Sequence, residues 1–205
     1  MNKIILIRHG ESKWNKIGKI QGQKDIELTQ KGRKQAKKLA EDLKKEKIDY
    51  IYTSDLERAY ETANIISKEL NKPIFLTKKL REINFGDWQG KTINQIKNKY
   101  KNQFNTWRKS PHLLSLSGAE NLIKVQERSM LLLRELHKKH KNDNIILVSH
   151  GVTIKVLILS ILDIDIENYR KITVDNCSLT MIKYIEDKSK IICLNERVKM
   201  EDYYD

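Results

Sequence analysis

Four short stretches of this 205-residue chain carry side chains able to act together on an anion. In the first, Arg8-His9-Gly10-Glu11 follows directly on an apolar run at residues 3–7. A neutral imidazole is a covalent nucleophile. A guanidinium beside it offers a permanent, forked charge that suits the equatorial oxygens of a phosphoryl group. Gly10 would let the backbone approach an anion closely. A surface histidine next to a surface arginine would look the same in this stretch alone. In the second, Tyr52-Thr53-Ser54-Asp55-Leu56-Glu57-Arg58, Arg58 lies one turn into a helix that starts at a strand end. Its guanidinium either turns back to clamp a phosphate or pairs on the helix surface with Glu57 or Glu61.

The third stretch sets Glu82 between Leu80 and Ile83, just before Phe85-Gly86-Asp87-Trp88. A carboxyl in partly apolar surroundings has a raised pKa, which a general acid needs near neutral pH. Nearby arginines would pull the other way, and a bound phosphate dianion would offset them. The alternative is a surface pair between Arg81 and Glu82. The fourth stretch, Ser149-His150-Gly151, ends the most apolar strand candidate. A second imidazole there is either a hydrogen-bond donor to a phosphoryl oxygen or a histidine satisfied within the core.

The elements that must position these groups alternate. Residues 3–7 read as a buried strand. Thr29 caps a helix running to about residue 47, with Ala36, Leu39, Ala40 and Leu43 on one face. Residues 50–53 form a second strand, residues 56–70 a helix facing inward through Ala59, Ala63 and Ile66, and Pro73 opens a third strand at 74–77. From 81 to 117 the composition changes: Trp88, Trp107, several Gly and Asn, and one weak helix near 93–100 read as an inserted cap. A long helix follows at 121–140, then the strand 144–149, a helix at 152–162 and closing strands at 173–184 and 190–197. The polar tail 199–205 is expected to fray. This is the pattern of a single-domain α/β three-layer sandwich over residues 1–205, with a mostly parallel central sheet and a small cap. Ligands of such sheets sit beyond the carboxyl ends of the strands, where both His-Gly pairs fall.

Composition narrows the class. The formal charge is +13, but only nine of the 40 basic residues are Arg, and the lysines are scattered rather than set among aromatics. That reads as a solvated, lysine-rich surface, the second reading being a net charge that steers anionic substrates, and no nucleic-acid partner is expected. The apolar runs are far shorter than the ~20 residues of a membrane span, so no membrane partner is expected either. From Met1 the chain enters a strand within three residues, so no signal peptide is expected. Two cysteines, Cys177 and Cys193, make neither a disulfide framework nor a four-ligand zinc site. The expected location is cytoplasmic. The oligomeric state is open, with a homodimer admissible.

Taken together and in this order, the four stretches resemble the histidine phosphatase superfamily, also called phosphoglycerate mutase-like. The resemblance runs from Ile4 to about Tyr184 and includes Asn15, Gln21-Gly22 and Leu28-Thr29 with Gly32. It implies that His9 is phosphorylated and that Arg8, Arg58 and His150 form the phosphate pocket. Glu82 would protonate the leaving oxygen and then help activate water. Asn15, Gln21, Gly22 and Gly151 would contact the phosphoryl group or the substrate. No metal and no cofactor is implied, because two Arg and two His supply the charge stabilisation.

Glu82 and His150 stand 68 positions apart, which resembles the short cap of the phosphatase branch. An open site favours hydrolysis of phosphohistidine. The alternatives are a 2,3-bisphosphoglycerate-dependent phosphoglycerate mutase and a non-catalytic phospho-ligand-binding module. Trp107, Pro111-His112, Ser117 to Glu120 and Asp175-Asn176-Cys177-Ser178 resemble phosphoserine, α-ribazole and broad-specificity phosphatases. Two positions depart from the phosphoserine enzymes: Phe85 stands where they carry His, and Gly118-Ala119-Glu120-Asn121 replaces Gly-Gly-Glu-Ser. Phe85, Trp88 and Trp107 either wall the substrate site or fill the core of the cap.

Overall fold

A computed structural model of the chain describes residues 3–185 and 188–197. Six strands form one sheet: β1 (Lys3–Arg8), β2 (Tyr50–Thr53), β3 (Ile74–Leu76), β4 (Asn144–Ser149), β5 (Ser178–Ile185) and β6 (Lys188–Arg197). Among the described residues seven α-helices join them: α1 (Lys13–Lys16), α2 (Gln30–Leu43), α3 (Glu57–Leu70), α4 (Ile93–Lys99), α5 (Lys101–Lys109), α6 (Leu122–Lys139) and α7 (Gly151–Ile161). The strand order is β3-β2-β4-β1-β5-β6. The first four run parallel, and β5 and β6 close the sheet antiparallel. The expected α/β sandwich with a mostly parallel sheet is therefore the fold.

The central strands are apolar throughout because both of their faces are covered. Alternate residues point to opposite sides. Ile4, Leu6, Ile145 and Leu147 join a core with Leu132, Leu133 and Leu136 of α6 and Ile154 and Leu157 of α7. Ile5, Ile7, Ile51, Ile146 and Val148 join a second core with Ala36, Leu39 and Ala40 of α2 and Ala59, Ala63 and Ile66 of α3. Small alanines on α2 and α3 let both helices lie close to the sheet. Among the described residues no helix is long and apolar enough to cross a membrane.

Several boundaries differ from the sequence expectation. Helix α2 stops at Leu43 rather than near residue 47. One turn beyond Leu43 the inward positions would be Glu46 and Lys47, which offer nothing to bury. The chain turns there instead, Glu46 pairs with Lys3 at 2.5 Å, and buried Ile48 leads into β2. Residues 173–177 are not strand. They form a loop in which the Cys177 N–H donates to the Arg8 and His9 carbonyls at 3.0 and 3.2 Å, so β5 begins only at Ser178. The sixth strand starts two residues earlier than expected, at Lys188. Between β3 and α6 there is a second helix, α5, whose weak signal is Phe104 and Trp107 three residues apart. The tail 199–205 lies outside the described residues.

Gly10 also has a packing task that the sequence does not show. A methyl group there would stand 2.5 Å from the Gly32 carbonyl oxygen, and one on Gly32 would stand 2.2 Å from that of Glu11. The loop after β1 and the first turn of α2 thus meet backbone to backbone, glycine against glycine. The Thr29 hydroxyl, which caps α2 by accepting from the Gly32 N–H at 3.0 Å, helps to fix that turn, and the Thr29 N–H donates to the Glu11 carbonyl. Replacing Gly with Ala in a helix ordinarily gains up to about 1 kcal/mol, whereas forced overpacking costs about 1–3 kcal/mol. Gly32→Ala is therefore expected to destabilise the protein, seen as a lower midpoint in urea unfolding; a raised midpoint would show that the two loops part without cost.

Candidate active site

Parallel pairing of β1 with β4 sets Arg8 opposite Ser149, and the His9 N–H donates to the Ser149 carbonyl at 3.0 Å. The next residue on each strand is a histidine, and the two rings stand 5.1 Å apart between centroids. Both are buried, at 2% and 0% exposure. The His9 Nδ1 lies 2.7 Å from the Gly10 carbonyl oxygen. A carbonyl only accepts, so Nδ1 carries the proton and Nε2 presents the lone pair. The Arg58 Nε–H donates to that Nε2 at 3.2 Å.

Arg58 is 1% exposed, which removes the surface-pair reading of the sequence. Its remaining donors reach the Gly22 carbonyl at 2.7 Å and the Lys24 carbonyl at 2.9 Å. Glu61, the other partner considered, is held by Arg33 at 2.5 Å. Gly22 has φ +53, and a methyl on it would strike the Gln89 side chain at 2.0 Å. Gly22 therefore acts here by aiming its carbonyl at Arg58. Thr62, on the next turn of α3, accepts from the Gly10 N–H at 3.0 Å while its own hydroxyl donates to the Arg58 carbonyl at 2.7 Å.

Arg8 lies on the other side of the pocket, with Nη1 donating to the Val174 carbonyl at 2.7 Å. Its Nε and both ring nitrogens of His150 are buried without a partner among the described residues. Buried polar atoms are nearly always paired, so these three suit a polar ligand, to which Arg8 Nε and the one protonated nitrogen of a neutral His150 would donate. Gly151 opens α7 beside them, where a methyl would lie 3.6 Å from Arg8 Nε. The loop after β1 supplies two amides. The Ser12 N–H donates to Asn15 Oδ1 at 3.1 Å, and the Ser12 hydroxyl lies 2.7 Å from Gln21 Oε1. Both carbonyl oxygens thus accept hydrogen bonds, and among the described residues the two side-chain amide N–H groups have no acceptor.

Glu82 is half-buried, and it is not paired with Arg81. Arg81 forks onto Asp55 at 2.7 and 2.6 Å. The Glu82 carboxyl instead accepts from the Ile83 N–H at 3.0 Å and from the Val152 N–H in the first turn of α7 at 3.3 Å. Its backbone is fixed by residues the sequence reading did not assign. The Glu82 carbonyl accepts from Gln23 Nε2 at 3.0 Å and from Arg128 Nη2 at 3.1 Å. Arg128 in turn is held by Glu120 at 2.9 Å. Asn176, which the sequence names only as part of a family-like stretch, has its amide donating to the His9 carbonyl at 3.0 Å. These residues come from separate loops and from helix α6, and they leave no local pattern. Of the three aromatics, Trp88 is core at 1% exposure, and Phe85 bridges it to Trp107, whose ring lies 5.7 Å from Tyr169. Among the described residues no cluster of metal-ligating side chains occurs.

Burial is the main cause lowering the pKa of His9 well below 6.5, with Arg58 and Arg8 adding repulsion. Burial and Arg58 do the same to His150. Burial also lowers Arg58, to about 10, which still leaves it cationic at neutral pH. The pocket thus holds neutral imidazoles among charged guanidiniums. Below pH 6.5 the unfolded chain binds protons on these histidines while the folded chain does not. Stability therefore falls on acidification through that window, by up to about 1.4 kcal/mol per pH unit for each histidine. Urea unfolding between pH 7.5 and 5.5 should show that fall, and His150→Gln should make it shallower by about 1 kcal/mol. An unchanged pH slope in the variant would mean that His150 is not held neutral.

Comparison with known proteins agrees with this geometry. The histidine phosphatase superfamily (branch 1) matches residues 4–197. Phosphoserine phosphatase 1 of Hydrogenobacter thermophilus is 35% identical over 204 residues, spanning 100% of this chain and 97% of the relative. A probable phosphoglycerate mutase of Photorhabdus laumondii is 33% identical over 188 residues, 90% of this chain and 86% of the relative. Among solved structures, a phosphoserine phosphatase from Entamoeba histolytica superposes with a TM-score of 0.82 at 34% identity, covering 95% of this chain and 97% of the other. A match that begins in the first strand and ends in the last, with likeness sustained over the full length, places the chain in the histidine phosphatase superfamily, to which it belongs.

Proposed function

We propose that this protein hydrolyses phosphomonoesters of small metabolites through a phosphohistidine on His9. The observation that carries the reading is His9 itself. It is buried, fixed as the Nδ1–H tautomer by Gly10, and has its Nε2 lone pair among Arg58, Arg8 and His150. In the first step Nε2 attacks phosphorus, and the bond from phosphorus to the ester oxygen breaks. Arg8, Arg58 and His150, with the amides of Asn15 and Gln21, hold the phosphoryl oxygens as charge moves onto them. Glu82 passes its proton to the departing alkoxide. In the second step water attacks the phosphohistidine while Glu82 takes a proton from it. Inorganic phosphate leaves and neutral His9 is restored.

Two guanidiniums match the dianion, so the scheme needs no metal and no cofactor. The segment 81–117 acts as the cap in this reading. With 68 positions between Glu82 and His150, the cap leaves the phosphohistidine open to water, which favours hydrolysis over transfer. The mutase reading stays in play because relatives carry both kinds of name. In our reading a small molecule, not nucleic acid or a membrane, is the substrate, and the enzyme works in the cytoplasm.

Three measurements test this. Wild-type protein should release phosphate from p-nitrophenyl phosphate with or without chelator, and His9→Ala should lose nearly all of that activity while unfolding at a similar temperature. Loss on chelation with recovery on adding one divalent ion would refute the scheme. Interconversion of 2- and 3-phosphoglycerate that outpaces phosphate release and needs 2,3-bisphosphoglycerate would make the mutase reading correct. For Glu82, general-acid assistance is typically worth about 10²–10⁴-fold. Glu82→Gln should slow the phosphorylation burst by that order with alkyl phosphates and much less with aryl phosphates, whose leaving group departs without a proton. An equal loss on both would remove Glu82 from that role.

A further inference from the structure

Helix α7 leaves the pocket with its first residues already engaged. The Val152 N–H donates to Glu82 Oε2 at 3.3 Å, and Gly151 packs on Arg8. Residues three and four places apart share a helix face. Lys155 therefore follows Gly151 and Val152 along that face, one turn farther from the phosphoryl pocket. Its side chain is half-buried, and its ammonium stands 4.8 Å from the centroid of the Tyr169 ring, which is itself buried.

The two carboxylates closest in influence on Lys155 are Glu82 and Asp175, and both are engaged elsewhere. Glu82 accepts from two backbone N–H groups. Asp175 accepts from Asn195 at 2.8 Å and from Arg197 at 2.7 Å. Among the described residues the ammonium is thus left facing a ring. Partial burial lowers its pKa, and the Arg170 and Arg8 guanidiniums lower it further. Arg8 and Arg58 already match the two charges of a phosphoryl group, and His9 and His150 are neutral. Lys155 is an additional cation that the phosphoryl group does not need. Holding it desolvated beside like charges is unfavourable, and an arriving anion would offset that cost.

Its position says which anion. Glu82 marks the side on which the alcohol departs, and Lys155 lies one turn along the helix from the Val152 contact with Glu82. We propose that Lys155 anchors a second anionic group on the leaving alcohol, a carboxylate or a second phosphate, so that phosphomonoesters of acidic alcohols are the preferred substrates. The assignment rests on the hydrolase reading above and adds to it a residue that sets substrate choice. Tyr169 is the positioning partner, since its ring carries the ammonium by a cation–π contact.

The test compares two matched pairs in the full chain: 3-phosphoglycerate against glycerol 3-phosphate, and fructose 1,6-bisphosphate against fructose 6-phosphate. Lys155→Met keeps the aliphatic stem and removes the charge, with Lys155→Gln in its place should the Met variant unfold at a clearly lower temperature. The ratio of kcat/KM within a pair should fall at least 10-fold, chiefly through KM for the acidic member, and Lys155→Arg should retain most of it. A fall in the first pair assigns a carboxylate, and one in the second assigns a phosphate. Ratios that do not move in an otherwise active enzyme overturn the assignment alone. A wild-type protein inactive on all four esters and on p-nitrophenyl phosphate overturns the hydrolase reading, and this assignment with it.

Discussion

The site depends on the parallel pairing of β1 with β4. That register places Arg8 opposite Ser149 and lets the His9 N–H close a hydrogen bond to the Ser149 carbonyl. Everything else follows from where this seam ends. Two histidines leave adjacent strands at the same level, and a one-residue slip would turn one ring away from the other. The apolar strand residues on both faces resist such a slip, because it would exchange Ile4 and Leu6 with Ile5 and Ile7 between two filled cores. The same packing that stabilises the sheet therefore fixes the distance between the two imidazoles.

Electrostatics in the pocket is a division of labour set by burial. An imidazole gives up its proton when desolvated beside cations, while a guanidinium keeps its charge under the same treatment. Lowered to about 10, Arg58 is still charged at the pH where His9 is neutral. Were Arg58 a lysine, burial would bring its pKa down toward the working range, and it would lack the fork that reaches His9, Gly22 and Lys24 together. The contact from Arg58 to His9 Nε2 also guards the lone pair, and an incoming phosphoryl group must take over that donor.

The acid side of the pocket is held differently. Glu82 lies in an irregular segment, so its position cannot come from a strand or a helix of its own. Arg128 from α6 and Gln23 from the loop before α2 donate to its carbonyl, Glu120 from the turn before α6 accepts from both of them, and α7 offers a backbone N–H to the carboxyl. Four separate parts of the chain thus converge on one residue. Glu120 has its oxygens taken up by Arg128, Gln23 and the Asn84 N–H, and so serves this framework.

Legibility in the sequence followed the range of the interaction. The strands β1, β2 and β4 and the helices α3, α6 and α7 were readable because apolar periodicity is local, and so was the start of α2, which Thr29 caps as expected. His9, Arg58, Glu82 and His150 were readable as types in a recurring order. The choice between a surface pair and a buried clamp for Arg58 was not, because Gly22, Lys24 and His9 reach it only through the fold. The packing constraint on Gly10 was illegible for the same reason: what crowds it is Gly32, on another element. Helix α5 and the 173–177 loop escaped because one has too few apolar positions and the other is held by contacts to Arg8 and His9 rather than by its own pattern. Sequence alone determined which groups are present and which strand ends carry them, since both follow from neighbours along the chain. Their tautomer, charge and mutual distance were decided only by tertiary packing, since desolvation and hydrogen bonding across the sheet arise between residues far apart in sequence.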